Sequence, residues 1–221
     1  AAENDMQINT NKTKEMILGP LARLNPPLRT VNTGTVDRVT CFKLLGVYIE
    51  SSLSWSIHVD NMIKKATRRL YFLKQLKRAG LTASQLFHFY CTVIRPVLEY
   101  CAPVWHYALT KAQTYQLEAI QKRAIHIVLN FSRGLSYPFM LSAADLSSLA
   151  NRREDISRDF FLSITEPESC LHHLLPEPKA ESLNSRLRTF ENFPRIFTRT
   201  KKYCSFIQYG LSHYQNRQSS T

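Results

Sequence analysis

Hydrophobic residues recur with two different periods along the chain. The period is that of a β-strand near residue 40 and that of an α-helix from residue 54 onward. Val36, Val39 and Cys41 alternate with polar neighbours, and the sequence becomes continuously apolar over residues 44–49. Alternation with a period of two is typical of a half-buried strand. The segment therefore predicts a β-hairpin or two short paired strands, with Gly46 either in the turn or at a bulge.

After residue 54, apolar residues recur every three or four positions, which is the period of an amphipathic helix. The apolar positions of the first helix are Val59, Met62, Ile63, Ala66, Leu70, Leu73 and Leu76, and Gly80 ends it. Further helices are predicted to begin at TASQ (Thr82–Gln85), TKAQ (Thr110–Gln113) and SAAD (Ser142–Asp145). Pro96 is expected to kink or restart the second helix. The residues expected to face inward in the fourth helix are Leu146, Leu149, Ile156 and Phe160.

Prolines interrupt the pattern after residue 165, and only SCLHHLL (Ser169–Leu175) looks briefly helical there. The basic, aromatic segment 199–215 is expected to be a docked strand or a mobile tail. The predicted fold class is mainly α, a helical bundle preceded by a small β-hairpin element, with a loosely structured C-terminal tail. The predicted divisions are residues 1–53, 54–165 and 166–221.

Composition changes this picture mainly through charge. The chain carries a formal net charge of +12, which favours a polyanionic partner such as nucleic acid. No membrane partner is expected, because no apolar segment approaches the roughly 18 residues of a membrane span. The five cysteines include no C-x-x-C pair, which favours the reducing cytoplasm or nucleus over a disulfide framework.

The positive charge is concentrated on the first predicted helix. No acidic residue lies between Asp60 and Glu99. Clustered cations repel one another unless a polyanion neutralises them, and lysines and arginines on a helix mostly contact phosphates rather than bases. An ordinary solvated surface is the alternative. The candidate nucleic-acid-binding residues are Lys64, Lys65, Arg68, Arg69, Lys74, Lys77 and Arg78.

The residues form no complete catalytic site. The pair His58 and Asp60 has the H-x-D spacing of iron-dependent oxygenases, but it begins an amphipathic helix, where Asp60 is predicted to complement the helix dipole. Lys12, in the polar turn Asn9–Lys14, is a candidate general acid or phosphate contact, with a solvated turn as the alternative. A loose zinc-like set is better interpreted as core residues, so no metal is assigned; its members are His88, Cys91, Cys101 and His106.

Five segments, taken in order over about residues 7–165, resemble the C-terminal part of the reverse transcriptase of non-LTR (LINE-like) retrotransposons. They are INTNKTKEMIL, VTCFKLLGVYIESSLSWSIHV, KKATRRLYFLKQL, YCTVIRPVLEYCAPVWH and LEAIQKRAIHIVL. The resemblance implies a palm remnant and primer-grip hairpin in residues 1–53 and a thumb in residues 54–165, followed by a linker and tail. Such a thumb packs along the template–primer duplex, which is recognised by shape and backbone.

The same resemblance implies roles for individual residues. Lys12 corresponds to the lysine near the incoming triphosphate, and the primer-grip-like residues are Phe42, Leu45, Gly46 and Tyr48. The family's paired-aspartate motif is absent, and two-metal phosphoryl transfer needs those carboxylates. The resemblance thus implies an inactive fragment of an RNA-directed DNA polymerase without a cofactor, Mg²⁺ being required only by the intact enzyme. Its expected partners are RNA–DNA or other duplex nucleic acid and the missing palm and fingers.

A second resemblance covers FKLLGVYIESSLSWSIHVDNMIKKATRRLYFLKQL (Phe42–Leu76), which is similar to a short module at the N-terminus of AlkB-type tRNA-modifying enzymes. Neither an oxygenase triad nor a methyltransferase glycine loop accompanies it. The alternative function is therefore a non-catalytic nucleic-acid-binding or AlkB-associated module.

Overall fold

The computed structural model describes residue 9 and residues 12–31, 34–130, 134–179, 192–198, 200 and 204–215. Over these residues the fold is mainly α with a few two-stranded pairs, which confirms the predicted class. The chain forms two compact units, Ala1–His58 and Val59–Thr221. The three-part division made from the sequence stays a prediction.

Short strand pairs make up much of the first unit. Its first elements are β1 (Lys14–Glu15), a 3₁₀ helix (Gly19–Leu24), β2 (Thr30–Val31), β3 (Gly34–Thr35) and β4 (Asp37–Arg38). β1 runs parallel to β4, and β2 runs antiparallel to β3. Two ion pairs join β1 to β4, because Lys14 Nζ lies 2.6 Å from Asp37 and an Arg38 nitrogen lies 2.9 Å from Glu15.

The predicted hairpin is confirmed in β5 (Cys41–Leu44) and β6 (Val47–Glu50). The ladder pairs every residue of the two strands, so Leu45 and Gly46 alone form the turn. Both have a positive φ, 46° and 89°, as a type I′ hairpin turn requires. Gly46 adopts this φ without the steric penalty that a Cβ imposes. It is therefore a turn glycine, and the bulge interpretation is wrong.

A carboxylate from β6 caps the first long helix, α1 (Ser56–Arg78). Glu50 Oε2 accepts the Ile57 N–H at 3.0 Å, where a helix has free N–H groups and a positive dipole end. Asp60 was predicted to complement this dipole, but it is the fifth residue of the helix and lies outside the first turn. His58 does lie in the first turn, where it is buried and its Nδ1 accepts the Tyr48 N–H at 3.4 Å.

A helical bundle forms the second unit. Its further helices are α2 (Ala83–Phe89), α3 (Arg95–Glu99), α4 (Ala102–Trp105), α5 (Lys111–Leu129), α6 (Tyr137–Ala143), α7 (Leu149–Thr165) and α8 (Phe206–His213). The capping boxes predicted at Thr82 and Thr110 are confirmed. A π-helical turn (Tyr90–Ile94) joins α2 to α3 just before Pro96, which is the predicted interruption. Short 3₁₀ helices cover His106–Ala108 and His172–Leu174.

The helix predicted to begin at Ser142 begins later, so that prediction is wrong. Ser142 lies near the end of α6, whereas α7 begins at Leu149 with Ser148 Oγ accepting the Asn151 N–H at 3.1 Å. Glu118 of α5 fixes this start, because its carboxylate accepts the Leu149 and Ala150 N–H groups at 3.2 and 2.6 Å. Of the residues predicted to face inward, Leu149 is buried, Leu146 and Ile156 are half-buried, and Phe160 is 40% exposed. The buried residues of α7 are Leu149, Arg153, Ser157, Phe161 and Ile164.

Residues 206–213, predicted as a strand or a mobile tail, form the helix α8. Ser205 caps it, because its Oγ accepts the Gln208 N–H at 3.2 Å and the Gln208 side chain accepts the Ser205 N–H at 2.9 Å. Leu211 and Tyr214 pack with Phe161 of α7 and Phe193 in a hydrophobic cluster. The strand interpretation is wrong for these residues.

A buried arginine joins α4 to α7. The Arg153 guanidinium is fully buried, lies 5.7 Å from the Trp105 ring and donates through Nε to His106 Nδ1 at 3.4 Å. His106 therefore carries a proton on Nε2 and donates it to Glu154 Oε2 at 3.2 Å. This hydrogen bond lowers the pKa of Glu154, and burial lowers the pKa of Arg153. In the part of the chain described, no helix is both long and apolar enough to cross a membrane.

The contact between α7 and α8 predicts that Gly210→Ala destabilises the bundle. A Cβ at Gly210 would lie 2.1 Å from Phe161 Cδ2, so the two helices must separate or Phe161 must move, at a cost of about 1–3 kcal/mol. Helix propensity alone predicts the opposite sign, a gain of about 1 kcal/mol. Urea unfolding followed by circular dichroism measures the difference. Phe161→Leu should relieve part of the loss in the double variant, and a Gly210→Ala protein of increased stability would contradict the packing.

Candidate nucleic-acid interface

The two sides of α1 differ in chemistry. Its buried side consists of Val59, Met62, Ala66, Leu70 and Leu73. The exposed side chains between residues 64 and 78 lie away from this apolar stripe, because a period of 3.6 residues separates the two sets. They are Lys64, Lys65, Arg68, Tyr71, Phe72, Lys74 and Arg78. This set is called the α1 outer face below.

Five of the seven candidate cations belong to the α1 outer face, and the other two point into the bundle. Arg69 Nη1 donates to the Val93 carbonyl in the π turn. Lys77 Nζ donates to the carbonyls of Ile127 and Val128, the latter at 3.1 Å, and to Asn130 Oδ1 at 2.6 Å. These three acceptors match the three ammonium hydrogens of Lys77.

Lys77 stabilises the end of α5. The last carbonyls of a helix lack intrahelical donors and carry its negative dipole end, so a lysine there supplies both a donor and a complementary charge. Asn130, in the left-handed region at φ 50°, ends the helix beside it. Lys77 and Arg69 thus hold α1 against the bundle, which leaves Lys64, Lys65, Arg68, Lys74 and Arg78 as the cations available to a ligand.

Two carboxylates of the bundle, Glu99 and Glu118, are engaged by other helices. Glu99 accepts from Arg152 Nε at 2.5 Å and lies 3.8 Å from Arg95. Glu118 caps α7 and accepts the Tyr137 hydroxyl at 2.5 Å. Among the residues that the structure describes, none of the ion pairs includes a cation of α1. The α1 outer face therefore keeps its positive charge uncompensated.

Sequence reasoning missed the two aromatic residues of this face. Tyr71 is 59% exposed and Phe72 is 56% exposed. Their ring centroids lie 5.7 Å apart at an interplanar angle of 75°, an edge-to-face pair. Within RRLYFLKQL they look like part of an apolar run. The helical period carries a usable signal, because the stripe through Leu70 and Leu73 leaves both rings off the buried side.

The primer-grip-like residues lie on the hairpin of the first unit. Leu45, 84% exposed, and Gly46 form its turn. Phe42 lines an apolar cavity of about 320 Å³ together with Met16 and Val39. The Tyr48 ring holds the Lys43 ammonium 5.6 Å from its centroid, a cation–π contact. Their role in holding a primer stays a prediction.

Lys12 occupies the polar turn predicted for it. Its N–H donates to the Asn9 carbonyl at 3.1 Å, and Thr13 Oγ1 donates to the same carbonyl at 2.9 Å. The Lys12 side chain is exposed. The backbone geometry thus presents the lysine to solvent, and its action as a general acid stays a prediction.

The described residues do not provide a metal centre. No three His, Cys, Asp or Glu side chains among them come close enough to hold an ion. In the zinc-like set, His106 is engaged by Glu154 and Arg153. These residues therefore offer no ligand set for the Mg²⁺ ions of nucleotidyl transfer.

Comparison with known families matches residues 55–95 to the N-terminal region of alkylated DNA repair protein alkB homolog 8. This range contains α1, α2 and the π turn, and therefore the whole α1 outer face. The predicted likeness to an AlkB-type N-terminal module is confirmed where the two ranges overlap, at residues 55–76. No curated protein and no solved structure matches the chain significantly.

Lys77, which is bonded to the bundle, and Lys74, which is exposed, should respond differently to the same substitution. Lys77→Met removes a charged donor from the end of α5 and should lower the free energy of unfolding by about 1.5–3 kcal/mol. Lys74→Met removes the same charge from the exposed face and should change it by less than about 0.5 kcal/mol. Methionine and lysine have similar helix propensities, so the pair is matched. Urea unfolding measures both values, and equal losses would contradict the assignment of Lys77 to the bundle.

Proposed function

We propose that this chain is the end of the palm, the primer-grip hairpin and the thumb of a reverse transcriptase of the non-LTR retrotransposon type. In this role it binds template–primer duplex and does not polymerise by itself. The observation that carries the proposal is the α1 outer face, with five exposed cations inside a stretch free of acidic residues.

The dimensions of the α1 outer face suit a nucleic-acid backbone. Residues 64–78 extend over about 21 Å of helix, at about 1.5 Å per residue. A duplex presents several phosphates of each strand over that length. Lysine and arginine on a helix give affinity without base readout, as a polymerase that copies any sequence requires.

In this proposal the catalytic carboxylates belong to the intact polymerase and not to this chain. The chain contains no paired-aspartate motif. In the intact polymerase, Lys12 would act beside the incoming triphosphate together with the palm, the fingers and Mg²⁺. The function proposed for the chain itself is to hold the substrate.

A second candidate function is an AlkB-associated module that binds nucleic acid through the same helix. The family match over residues 55–95 favours it. Both candidates use the α1 outer face, so binding alone does not separate them. The reading frame upstream separates the two candidates. An F/Y-A-D-D motif within about a hundred residues supports the polymerase, whereas an oxygenase domain in the full-length gene supports the AlkB-associated module.

Removal of three cations from the α1 outer face should abolish most binding to an RNA–DNA hybrid. In the triple variant Lys64→Gln, Lys65→Gln, Arg68→Gln, the slope of log affinity against log salt should fall by about 2.7, since each phosphate contact contributes about 0.9. The corresponding loss at about 0.1 M salt is 10²- to 10³-fold. Filter binding across a salt series measures both quantities.

A matched control removes three exposed cations from α5 and α7, namely Lys111→Gln, Arg123→Gln and Arg158→Gln. It lowers the net charge equally and should retain most of the affinity. Equal losses of affinity in the two variants would show that binding depends on overall charge and not on the α1 outer face. Wild-type affinity that does not change with salt would exclude the proposal.

A further inference from the structure

The α1 outer face contains two large apolar rings that the fold leaves in water. A buried aromatic side chain removes roughly 150–250 Å² from solvent. Tyr71 and Phe72 are each more than half exposed, so they retain apolar area that a ligand can cover. They lie in the middle of a highly charged helix rather than in an apolar patch.

The rings are placed between cations. Arg68 precedes Tyr71 by three residues and Phe72 by four, the spacings at which side chains of a helix are neighbours. Lys64 lies one turn before Arg68, and Lys74 and Arg78 follow the aromatic pair. A ligand on this helix thus meets positive charge, then two rings, then positive charge.

Within the pair, the geometry leaves ring faces available. At an interplanar angle of 75°, one ring directs its edge toward the other. Such a pair covers a single face of one ring and neither face of its partner. The pair thus leaves ring faces uncovered on which a flat ligand can stack.

Exposed aromatic rings between phosphate-binding cations are the combination by which proteins bind single-stranded nucleic acid. An interior base pair of a duplex is already stacked on both sides, so along its length a plain duplex can use only the cations. We infer that Tyr71 and Phe72 stack with unpaired bases, and that the α1 outer face therefore prefers a single strand adjoining a duplex. This rests on the proposed nucleic-acid-binding function and specifies its substrate.

An apolar protein partner fits this surface less well. The cores of protein interfaces are depleted of charged residues, particularly lysine. Here Arg68 lies one turn before the rings, Lys64 and Lys65 lie about two turns before them, and Lys74 follows on the other side. A protein covering the rings would have to desolvate or neutralise these cations, whereas nucleic acid supplies phosphates next to its bases.

The test uses three probes that share one short RNA–DNA hybrid. The first is blunt, the second has a single-stranded overhang, and the third has an overhang of abasic residues with the same number of phosphates. The wild-type chain should bind the base-bearing overhang about 5- to 150-fold more tightly than the abasic one, the range expected for one stacked base. Fluorescence anisotropy at fixed salt measures the three affinities.

The double variant Tyr71→Leu, Phe72→Leu should lose this preference while keeping the affinity for the blunt hybrid and its salt slope. Leucine retains apolar character and helix propensity but has no π-face. The Lys64, Lys65, Arg68 triple variant is the complementary control, and it should lose affinity for all three probes. Phe72→Trp gives an independent readout, because its fluorescence should be quenched by the base-bearing overhang and not by the abasic one.

Equal wild-type affinities for the base-bearing and abasic overhangs would overturn the inference and leave the proposed function intact. A failure to bind any probe would overturn both. Self-association that disappears in the double variant, without any dependence on bases, would identify the pair as a protein interface and also overturn the inference.

Discussion

The separation of the α1 cations into bundle contacts and an exposed set depends on one interaction above all, the ammonium of Lys77 at the C-terminal end of α5. Lys77 lies four and seven residues after Leu73 and Leu70, so it lies on the same side of α1 as the buried stripe and is itself half-buried. Its three hydrogen bonds satisfy carbonyls that have no donor within their own helix. With Arg69 bonded to the Val93 carbonyl on the flank, the rotation of α1 about its axis is fixed. The remaining cations must then face solvent.

Charged groups at helix ends also account for the asymmetry of charge. Glu50 caps α1, and Glu118 caps α7 while accepting the Tyr137 hydroxyl. Glu99 is engaged by Arg152 and Glu154 by His106. These carboxylates therefore stabilise helix ends and helix contacts, and they do not neutralise the α1 outer face. The concentration of positive charge on α1 follows from the absence of acidic residues between Asp60 and Glu99, and the engaged carboxylates do not offset it.

Local signals were sufficient to predict the hairpin, the stripe of α1 and the two threonine capping boxes, because each depends on residues close in sequence. The start of α7 was not predictable in this way. Ser142 and Ser148 are both suitable N-cap residues, and the contact of Glu118 with the Leu149 and Ala150 N–H groups places the start after Ser148. Sequence spacing alone also does not show that Lys77 is bonded to the bundle and Lys74 is exposed. The acceptors of Lys77 lie at the end of α5, about 50 residues away in sequence. The Ser205–Gln208 capping box was a local signal for α8, but the basic, aromatic composition favoured the strand or tail interpretation.

The two chemistries of the α1 outer face respond differently to salt, and this decides how selective the proposed site is. Phosphate contacts lose strength as ionic strength rises, because counterion release becomes less favourable. Stacking on Tyr71 and Phe72 involves uncharged surfaces and changes little by comparison. Rising salt therefore lowers the affinity of every complex, whereas the ratio of the affinities for base-bearing and abasic overhangs, which carry the same number of phosphates, changes little. In the proposed site the phosphate contacts thus set the affinity, and the aromatic pair sets the preference for unpaired bases at any ionic strength.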